Sequence, residues 1–158
     1  MVNYMNNNCI WCNITESEKI YLLIDSKYWE VYLADKQDYI GRCILVLNRH
    51  CESLSKLNDE EWTELKVLIE QLETAIANAL GASMFNWSCL MNDFYKPEAP
   101  NPHLHIHVRP RYKSPITING KTFTDEEFAH HYDNHKQNKL TKAETETVYN
   151  LIKEALDG

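Results

Sequence analysis

One segment constrains the fold of this chain more than any other, the alternating run His103-Leu104-His105-Ile106-His107-Val108. Side chains of a β-strand point alternately to its two faces, so this run predicts three imidazoles on one face and three aliphatic side chains on the other. The aliphatic face is typical of a strand that packs on a hydrophobic core. The sequence therefore predicts a strand over Leu104–Val108 that presents three histidines side by side.

Three aligned imidazoles have several chemical uses. Histidines two residues apart on a strand can both reach a zinc ion. A neutral imidazole is also a good nucleophile toward phosphorus, and its unperturbed pKa of about 6.5 leaves it mostly neutral at pH 7. A neighbouring histidine can then donate a hydrogen bond to the phosphate oxygens. The remaining interpretation is an ordinary strand with solvated histidines, but the chain has only 7 histidines and this pattern is unlikely to arise by chance.

The remaining periodicity predicts one α+β domain. Short apolar runs typical of strands occupy Ile20–Ile24, Tyr28–Leu33, Cys43–Leu47 and Ser83–Met91. A long helix should run from its cap at Asn58 to Leu80, with Glu61 completing a capping box and Gly81 ending it. Its inner face would carry the apolar residues at helical spacing, which are Trp62, Leu65, Leu68, Ile69, Leu72, Ile76 and Ala79.

The last third of the chain adds two smaller features. Asn119-Gly120 between Ile116–Ile118 and Phe123 predicts a small hairpin. Thr141 with Glu144 should open a final helix with Val148, Leu151, Ile152 and Ala155 on its inner face. We therefore expect an antiparallel five-stranded sheet with one long helix packed on it and a C-terminal helix.

Composition argues against several classes of protein. The net charge of −7 does not favour attachment to nucleic acid or to an anionic membrane. No stretch approaches the roughly 20 apolar residues of a membrane span, and the polar segment Met1–Asn8 lacks the features of a secretory signal. The 5 cysteines are an odd number and do not indicate a disulfide framework. We therefore expect a cytoplasmic protein without nucleic-acid or membrane partners.

The segment His103–Val108 resembles the signature of the histidine triad (HIT) family, in which three histidines alternate with apolar residues. Arg109 departs from that signature, because an apolar residue is usual there. The resemblance covers a domain from Cys9 to Tyr112, after a polar tail at 1–8. The extension 113–158 resembles the longer C-terminal tail of some bacterial members, and we expect it to pack on the same domain.

The resemblance implies a role for individual residues. His105, the middle histidine, corresponds to the catalytic nucleophile of the family, and His107 is a second catalytic residue that binds the phosphate. Asn92 lies 11 residues before His103, where the family places an Asn or Gln that orients the phosphate. Asp35 resembles the acidic residue that binds the ribose hydroxyls.

The segment Cys9-Ile10-Trp11-Cys12 resembles the start of the family domain. Ile10 and Trp11 would border the base pocket, although Trp11 can equally pack as part of the core. The two cysteines alone are a weak signal, and a thioredoxin-like role is disfavoured because no β-α-β pattern surrounds them. In zinc-bearing relatives and in galactose-1-phosphate uridylyltransferases, the equivalent residues hold zinc. The resemblance thus implies a structural Zn²⁺ site made of Cys9, Cys12, His50 and His103.

The implied function is that of a nucleotide-binding hydrolase. It would cleave dinucleoside polyphosphates or nucleoside phosphoramidates at the α-phosphorus through a nucleotidyl-histidine intermediate, and it would be a homodimer. A nucleotidyltransferase and a non-catalytic zinc- or nucleotide-binding partner protein are the alternatives. Many members carry Gln and Ser or Thr where this chain has Ala99 and Pro100. The proton donor for the leaving group must therefore come from Asn101, Lys96, a backbone amide or water.

A second group of histidines comprises His130, His131 and His135, near the stretch Asp125–Asp133, which we expect to be helical. Two of them are four residues apart and could share a metal ion. A solvated helix face is the favoured interpretation.

Overall fold

The computed structural model describes residues 8–158, and the predicted tail at 1–8 lies outside it except for Asn8. An antiparallel sheet of five strands is its centre, in the order β1-β2-β3-β5-β4. The strands are β1 Leu22–Asp25, β2 Trp29–Leu33, β3 Cys43–Leu47, β4 Met84–Ser88 and β5 His105–Arg111. Helices α1 (Asp59–Leu80) and α2 (Lys142–Asp157) complete the α+β fold, which confirms the predicted architecture.

Helix α1 begins and ends where the sequence predicts. Asn58 Oδ1 accepts a hydrogen bond from the Glu61 amide, the Glu61 carboxylate accepts one from the Asn58 amide, and Gly81 follows the last residue with φ of 78°. The assignment of Trp62 to the inner face is wrong, since 44% of it is exposed. Glu61 is buried there instead, because its carboxylate pairs with Arg49 while capping the helix.

Strand β5 is longer than the predicted Leu104–Val108, because it continues to Arg111. The charged side chains of Arg109 and Arg111 are compatible with the strand, because each pairs with a buried carboxylate. Arg109 Nε lies 2.9 Å from Asp38 Oδ2, and Arg111 Nε lies 2.7 Å from Asp125 Oδ2. Strand β4 is shorter than the predicted Ser83–Met91.

The segment after Tyr112 packs on the same body. Strands β6 (Ile116–Ile118) and β7 (Lys121–Phe123) form the predicted hairpin, with positive φ at both turn residues, and α2 contacts α1, β1 and β6. The predicted helical stretch Asp125–Asp133 is not a helix, and it has turns only at residues 126–129. Arg111 takes the carbonyls of Glu127 and His130 as acceptors, which competes with helical hydrogen bonding.

The three histidines at 130, 131 and 135 are all exposed. They are not part of any Cys, His or carboxylate group with metal-binding geometry among residues 8–158. None of the helices described there is both long enough and apolar enough to cross a membrane.

Candidate functional site

The two faces of β5 differ as the alternating motif predicts. Leu104, Ile106 and Val108 are buried in the core. His105, His107 and Arg109 share the opposite face with their cross-strand neighbours, since paired residues of an antiparallel sheet point the same way. We call this surface the histidine face, and its neighbours on β3 and β4 are Val46, Ile44, Ser88 and Asn86.

His105 is held as one tautomer by the backbone. Its Nδ1 lies 2.9 Å from the carbonyl oxygen of His103. A carbonyl can only accept, so Nδ1 carries the proton and Nε2 carries the lone pair. Only 7% of His105 and 1% of His103 are exposed, so the interpretation as solvated histidines is wrong for both. The arrangement leaves Nε2 of His105 in the form required of a nucleophile.

His107 has a different partner. Its Nδ1 lies 3.1 Å from Nη2 of Arg42, which stands just before β3. Burial, together with the positive charge of Arg42, lowers the pKa of His107 to about 3. The imidazole is therefore neutral at physiological pH, although it lies only 4.8 Å from the His105 ring between centroids.

Arg42 belongs to a buried group of ions that sequence reasoning missed. Asp38 is fully buried and accepts from both Arg42 Nη1, at 3.3 Å, and Arg109 Nε, at 2.9 Å. Tyr132 of the C-terminal segment covers the Arg109 guanidinium at 4.4 Å. One carboxylate serves two arginines, so the group carries excess positive charge. The arginine that interrupts the apolar pattern at 109 was the available signal, because a buried arginine requires an acidic partner.

A cleft of about 320 Å³ opens beside His107. Trp11, Tyr32, Asp35 and Arg42 are among its lining residues, and the rings of Trp11 and Tyr32 lie 6.1 Å apart between centroids. The structure therefore brings the predicted Trp11, Asp35 and His107 to one cavity and adds Tyr32, which the sequence analysis had not selected. An aromatic wall, a carboxylate at the rim and an imidazole with cationic support suit a nucleoside phosphate.

Two predicted binding residues lie outside the lining of this cleft. Ile10 is 72% exposed. Asn92 is exposed in the short 3₁₀ helix Asn92–Tyr95. That helix nevertheless borders the histidine face, because the ring of Phe94 lies 5.5 Å from the ring of His105 between centroids.

The structure also gathers the four predicted metal ligands. The ligand atoms of Cys9, Cys12, His50 and His103 all lie within 4.8 Å of one another. His103 Nδ1 is 3.2 Å from Cys9 Sγ and 3.5 Å from Cys12 Sγ. A tetrahedral zinc with ordinary bond lengths places such atoms about 3.3–3.8 Å apart.

The tautomer of His103 agrees with a ligand role. Its Nε2 lies 2.6 Å from the carbonyl oxygen of Leu47 and must donate to it, which leaves the lone pair of Nδ1 facing the thiols. Burial lowers the pKa of His103, so the ring is kept neutral. All five cysteines are free thiols. Two thiols and two imidazoles in this arrangement form a metal-binding group of the kind that zinc favours.

Comparison with known proteins identifies the fold. No protein-family model matches the chain. An uncharacterized 16.1 kDa HIT-like protein of Mycoplasma pneumoniae is 24% identical over 110 residues, which are 69% of this chain and 75% of that protein. A hypothetical histidine triad nucleotide-binding protein of Sulfolobus tokodaii is 17% identical, with a TM-score of 0.69 over 94% of this chain and 92% of its own.

Further solved structures share the architecture. A Zn-bound histidine triad family protein of Mycobacterium smegmatis has a TM-score of 0.62 at 15% identity, covering 96% of this chain and 94% of its own. A uridylyltransferase has a TM-score of 0.67 at 20% identity. The match covers 96% of this chain but only 46% of the uridylyltransferase. A diadenosine triphosphate hydrolase of Plasmodium falciparum has a TM-score of 0.56 at 18% identity, over 87% and 76% of the two chains. These likenesses confirm the resemblance to histidine triad proteins and show their fold.

Proposed function

We propose that this chain, which has the fold of histidine triad nucleotide-binding proteins, is a hydrolase of dinucleoside polyphosphates or nucleoside phosphoramidates. The observation that carries the proposal is the state of His105. Its Nδ1–H is committed to a backbone carbonyl, so the free lone pair lies on Nε2. That histidine neighbours a second, neutral imidazole beside a cleft that contains Trp11 and Asp35.

The reaction begins with attack by His105. Its Nε2 lone pair forms a bond to the α-phosphorus, and the bond from phosphorus to the bridging oxygen or nitrogen of the leaving group breaks with its electron pair. The leaving group takes up a proton. The resulting nucleotidyl-imidazolium keeps its Nδ1–H on the carbonyl of His103, which stabilises the positive charge. Water then attacks the phosphorus, the phosphorus–nitrogen bond breaks, and a nucleoside monophosphate and a proton are released.

His107 and Asn92 would stabilise the charge that develops on the phosphate oxygens. Donors aimed at such oxygens commonly lower a barrier by about 3–4 kcal/mol each. His107 lines the cleft and neighbours His105, as this role requires. Asn92 starts the 3₁₀ helix whose Phe94 ring lies 5.5 Å from the His105 ring, so it belongs to a segment that borders the histidine face.

The nucleoside would occupy the cleft. Trp11 and Tyr32 provide flat walls for the base, and the exposed carboxylate of Asp35 can accept hydrogen bonds from the ribose hydroxyls. Ile10 would cover the outer edge of the base if the Cys9–Cys12 turn closes over it. The excess positive charge of the Arg42 and Arg109 pair lies beside the phosphate end of such a ligand.

Zn²⁺ is the metal we propose for Cys9, Cys12, His50 and His103. Bound there, it would supply structural cross-linking rather than Lewis-acid chemistry. His103 supplies the carbonyl that fixes the tautomer of His105, and Trp11 lies between Cys9 and Cys12 in the sequence. The cluster thus holds in place two parts of the proposed site.

The proton for the leaving group would come from Asn101, Lys96, a backbone amide or water. Ala99 and Pro100 are exposed and offer no side-chain donor. Lys96 has a cationic Nζ 2.5 Å from Asp93 Oδ1, on the same short segment as Asn92. It is a charged donor four residues after Asn92.

We also propose a homodimer in the cytoplasm. Strand β4 is at one edge of the sheet and has an open side, and α1 exposes Trp62 and Val67. A second copy that joins through α1 and this edge would cover both features. The free thiols and the proposed zinc site suit a reducing compartment.

A substrate screen in ¹⁸O-labelled water tests the proposed reaction. Adenine and guanine dinucleotides and phosphoramidates are incubated with the zinc-loaded protein, and the products are read by mass spectrometry. Hydrolysis should place one labelled oxygen in the nucleoside monophosphate. In the uridylyltransferase-like alternative, suggested by the similarity to that fold, added phosphate or sugar phosphate captures the nucleotide unlabelled. Binding without turnover of any compound would overturn both and leave a nucleotide-binding protein.

A further inference from the structure

We infer that Arg42 is a positioning residue that holds His107 as the neutral tautomer with its proton on Nε2. The catalytic use of this tautomer rests on the proposed function. The tautomer itself does not, and it can be measured without substrate. The interaction joins residues 65 positions apart.

The argument begins with the chemistry of the two partners. A guanidinium has only donors, and Arg42 Nη2 lies 3.1 Å from His107 Nδ1. A proton on Nδ1 would place two N–H groups against each other at this distance. Nδ1 must therefore carry the lone pair, and the single proton of the neutral ring lies on Nε2.

Arg42 is itself held on several sides. Asp38 Oδ1 accepts from its Nη1 at 3.3 Å, and the side chain of Gln37 donates to its backbone oxygen at 2.9 Å. Gly41 precedes it with φ of 84°, and a Cβ at that position would lie 2.8 Å from Leu80 Cδ1. Glycine adopts this positive φ without strain, and the loop that presents Arg42 depends on it.

The C-terminal segment reinforces the same loop. Asn138 Nδ2 donates to the backbone oxygen of Asp38 at 2.9 Å, and Tyr132 covers Arg109, the second partner of the Asp38 carboxylate. Asp38 is thereby fixed between the two arginines. A carboxylate that is already shared in this way cannot swing to His107 and offer it an acceptor.

The charges around His107 favour the same state. Arg42, His105 and Arg109 disfavour a positive imidazolium, and the charge of Asp93 favours it more weakly. With burial, these charges lower the pKa of His107 to about 3. The ring thus remains a neutral donor over the whole physiological range.

Two neighbouring histidines are consequently given opposite tautomers. His105 receives its acceptor from the backbone and keeps a lone pair on Nε2, whereas His107 receives a donor from Arg42 and keeps a proton there. Only one of the two can attack phosphorus through Nε2, and only the other can donate from it. Arg42 therefore separates the roles of two chemically identical side chains.

Long-range ¹H–¹⁵N spectra of the imidazoles test this inference on the full-length, zinc-loaded chain. At pH 7 the wild type should show His107 protonated on Nε2 and His105 protonated on Nδ1. Arg42→Met removes the donor while Asp38 keeps Arg109, and it should give mixed tautomers at His107 and raise its pKa by at least about one unit. Arg42→Lys restores a donor and should restore the wild-type pattern. In both variants the His105 signals, which depend on the backbone, should be unchanged and report the intact fold.

Two results would overturn the inference. One is a wild-type His107 protonated on Nδ1, and the other is an Arg42→Met variant with the Nε2–H tautomer fully preserved. If the proposed reaction is found, Arg42→Met should lower kcat by about 10–100-fold, the loss of one transition-state donor, and Arg42→Lys, which keeps a donor and the charge, should restore it. If no nucleotide is turned over, the spectra still decide the role of Arg42, so the two failures are distinguishable.

Discussion

The imidazoles of His105 and His107 pack edge-to-face, 4.8 Å apart between centroids and at 87° between planes, yet their Nδ1 atoms face opposite kinds of group. A backbone carbonyl faces the first and a guanidinium faces the second. The strand sets the spacing of the two rings. The proton of His105 is fixed by the carbonyl of His103 in the same motif, whereas that of His107 is fixed by Arg42, 65 positions away.

His105→Ala should lower kcat by at least about 1000-fold while nucleotide affinity changes by less than about tenfold, because the nucleophile is lost and the cleft is kept. Turnover and equilibrium binding of a nucleoside monophosphate measure the two effects. His135→Ala, an exposed histidine away from the site, is the control and should behave as wild type. A His105→Ala enzyme with more than a few per cent of wild-type kcat would remove His105 from the mechanism.

Metal analysis of the purified chain should find about one zinc per protein molecule. Cys9→Ser with Cys12→Ser should lose it and lower the melting temperature, because metal binding to the folded state adds stability. Cys89→Ser, at a half-buried thiol outside the cluster, is the matched control. Stoichiometric zinc in the double variant would show that other residues bind it.

Trp11→Ala should weaken nucleoside monophosphate binding by about tenfold or more, the value of one aromatic stack, with little change in melting temperature. Calorimetry of binding and of unfolding separates the two quantities. Trp62→Ala, which removes an exposed tryptophan from α1, should leave affinity unchanged. A large loss of stability at unchanged affinity would instead identify Trp11 as a core residue.

Asp35→Asn should weaken binding of ribonucleotides but not of 2′,3′-dideoxy analogues, because the carboxylate accepts from hydroxyls that the analogues lack. Titration of the two ligand classes into both proteins gives the comparison. Equal weakening for both classes would mean that Asp35 acts through the general charge of the cleft.

The free energy of unfolding should fall as the pH drops from about 6.5 toward about 3, in part because of His107. Its pKa is lowered to about 3 in the folded state, so in this window the unfolded chain binds a proton that the folded chain excludes. Stability then rises with pH by at most about 1.4 kcal/mol per unit for this one group. Urea titrations between pH 7 and 5 should give a smaller slope for His107→Gln than for wild type. Equal slopes would show that the ring is protonated alike in both states.

Light scattering should give a mass near twice the 18.6 kDa of one chain if α1 and the β4 edge join two copies. Trp62→Glu should shift the protein toward monomer by placing a charge in that contact. A monomer mass for the wild type across micromolar concentrations would reject the dimer.

Local patterns predicted much of the fold. Strand β3 has the predicted bounds Cys43–Leu47, and the capping boxes at Asn58 and Thr141 open α1 and α2. These features depend on neighbours within a few residues, which a sequence displays directly. The orientation of α1 around Trp62 does not depend on such near neighbours, because it is decided by Arg49, 12 positions from its partner Glu61.

The site divides in the same way. The triad motif and the Cys9–Cys12 pair are visible in the sequence, and the structure brings the pair together with His50 and His103. The contact between Arg42 and His107 joins residues 65 positions apart, and no periodic pattern in the sequence predicts it. The role of Asp38 is not visible in the sequence either, because it depends on Arg42, just before β3, and Arg109 of β5 meeting at one carboxylate.

The turn between Cys9 and Cys12 serves two sites at once. Cys9 and His103 are 94 positions apart, their ligand atoms are 3.2 Å apart, and Trp11 within the turn lines the cleft. A metal ion that orders the turn would also order one wall of the cleft, and a ligand against that wall would order the thiols. Such coupling is reciprocal, so nucleotide must tighten metal by the same factor by which metal tightens nucleotide. At a fixed metal concentration, the occupancy of the metal site would then rise with the nucleotide concentration, and the reverse would hold for the cleft.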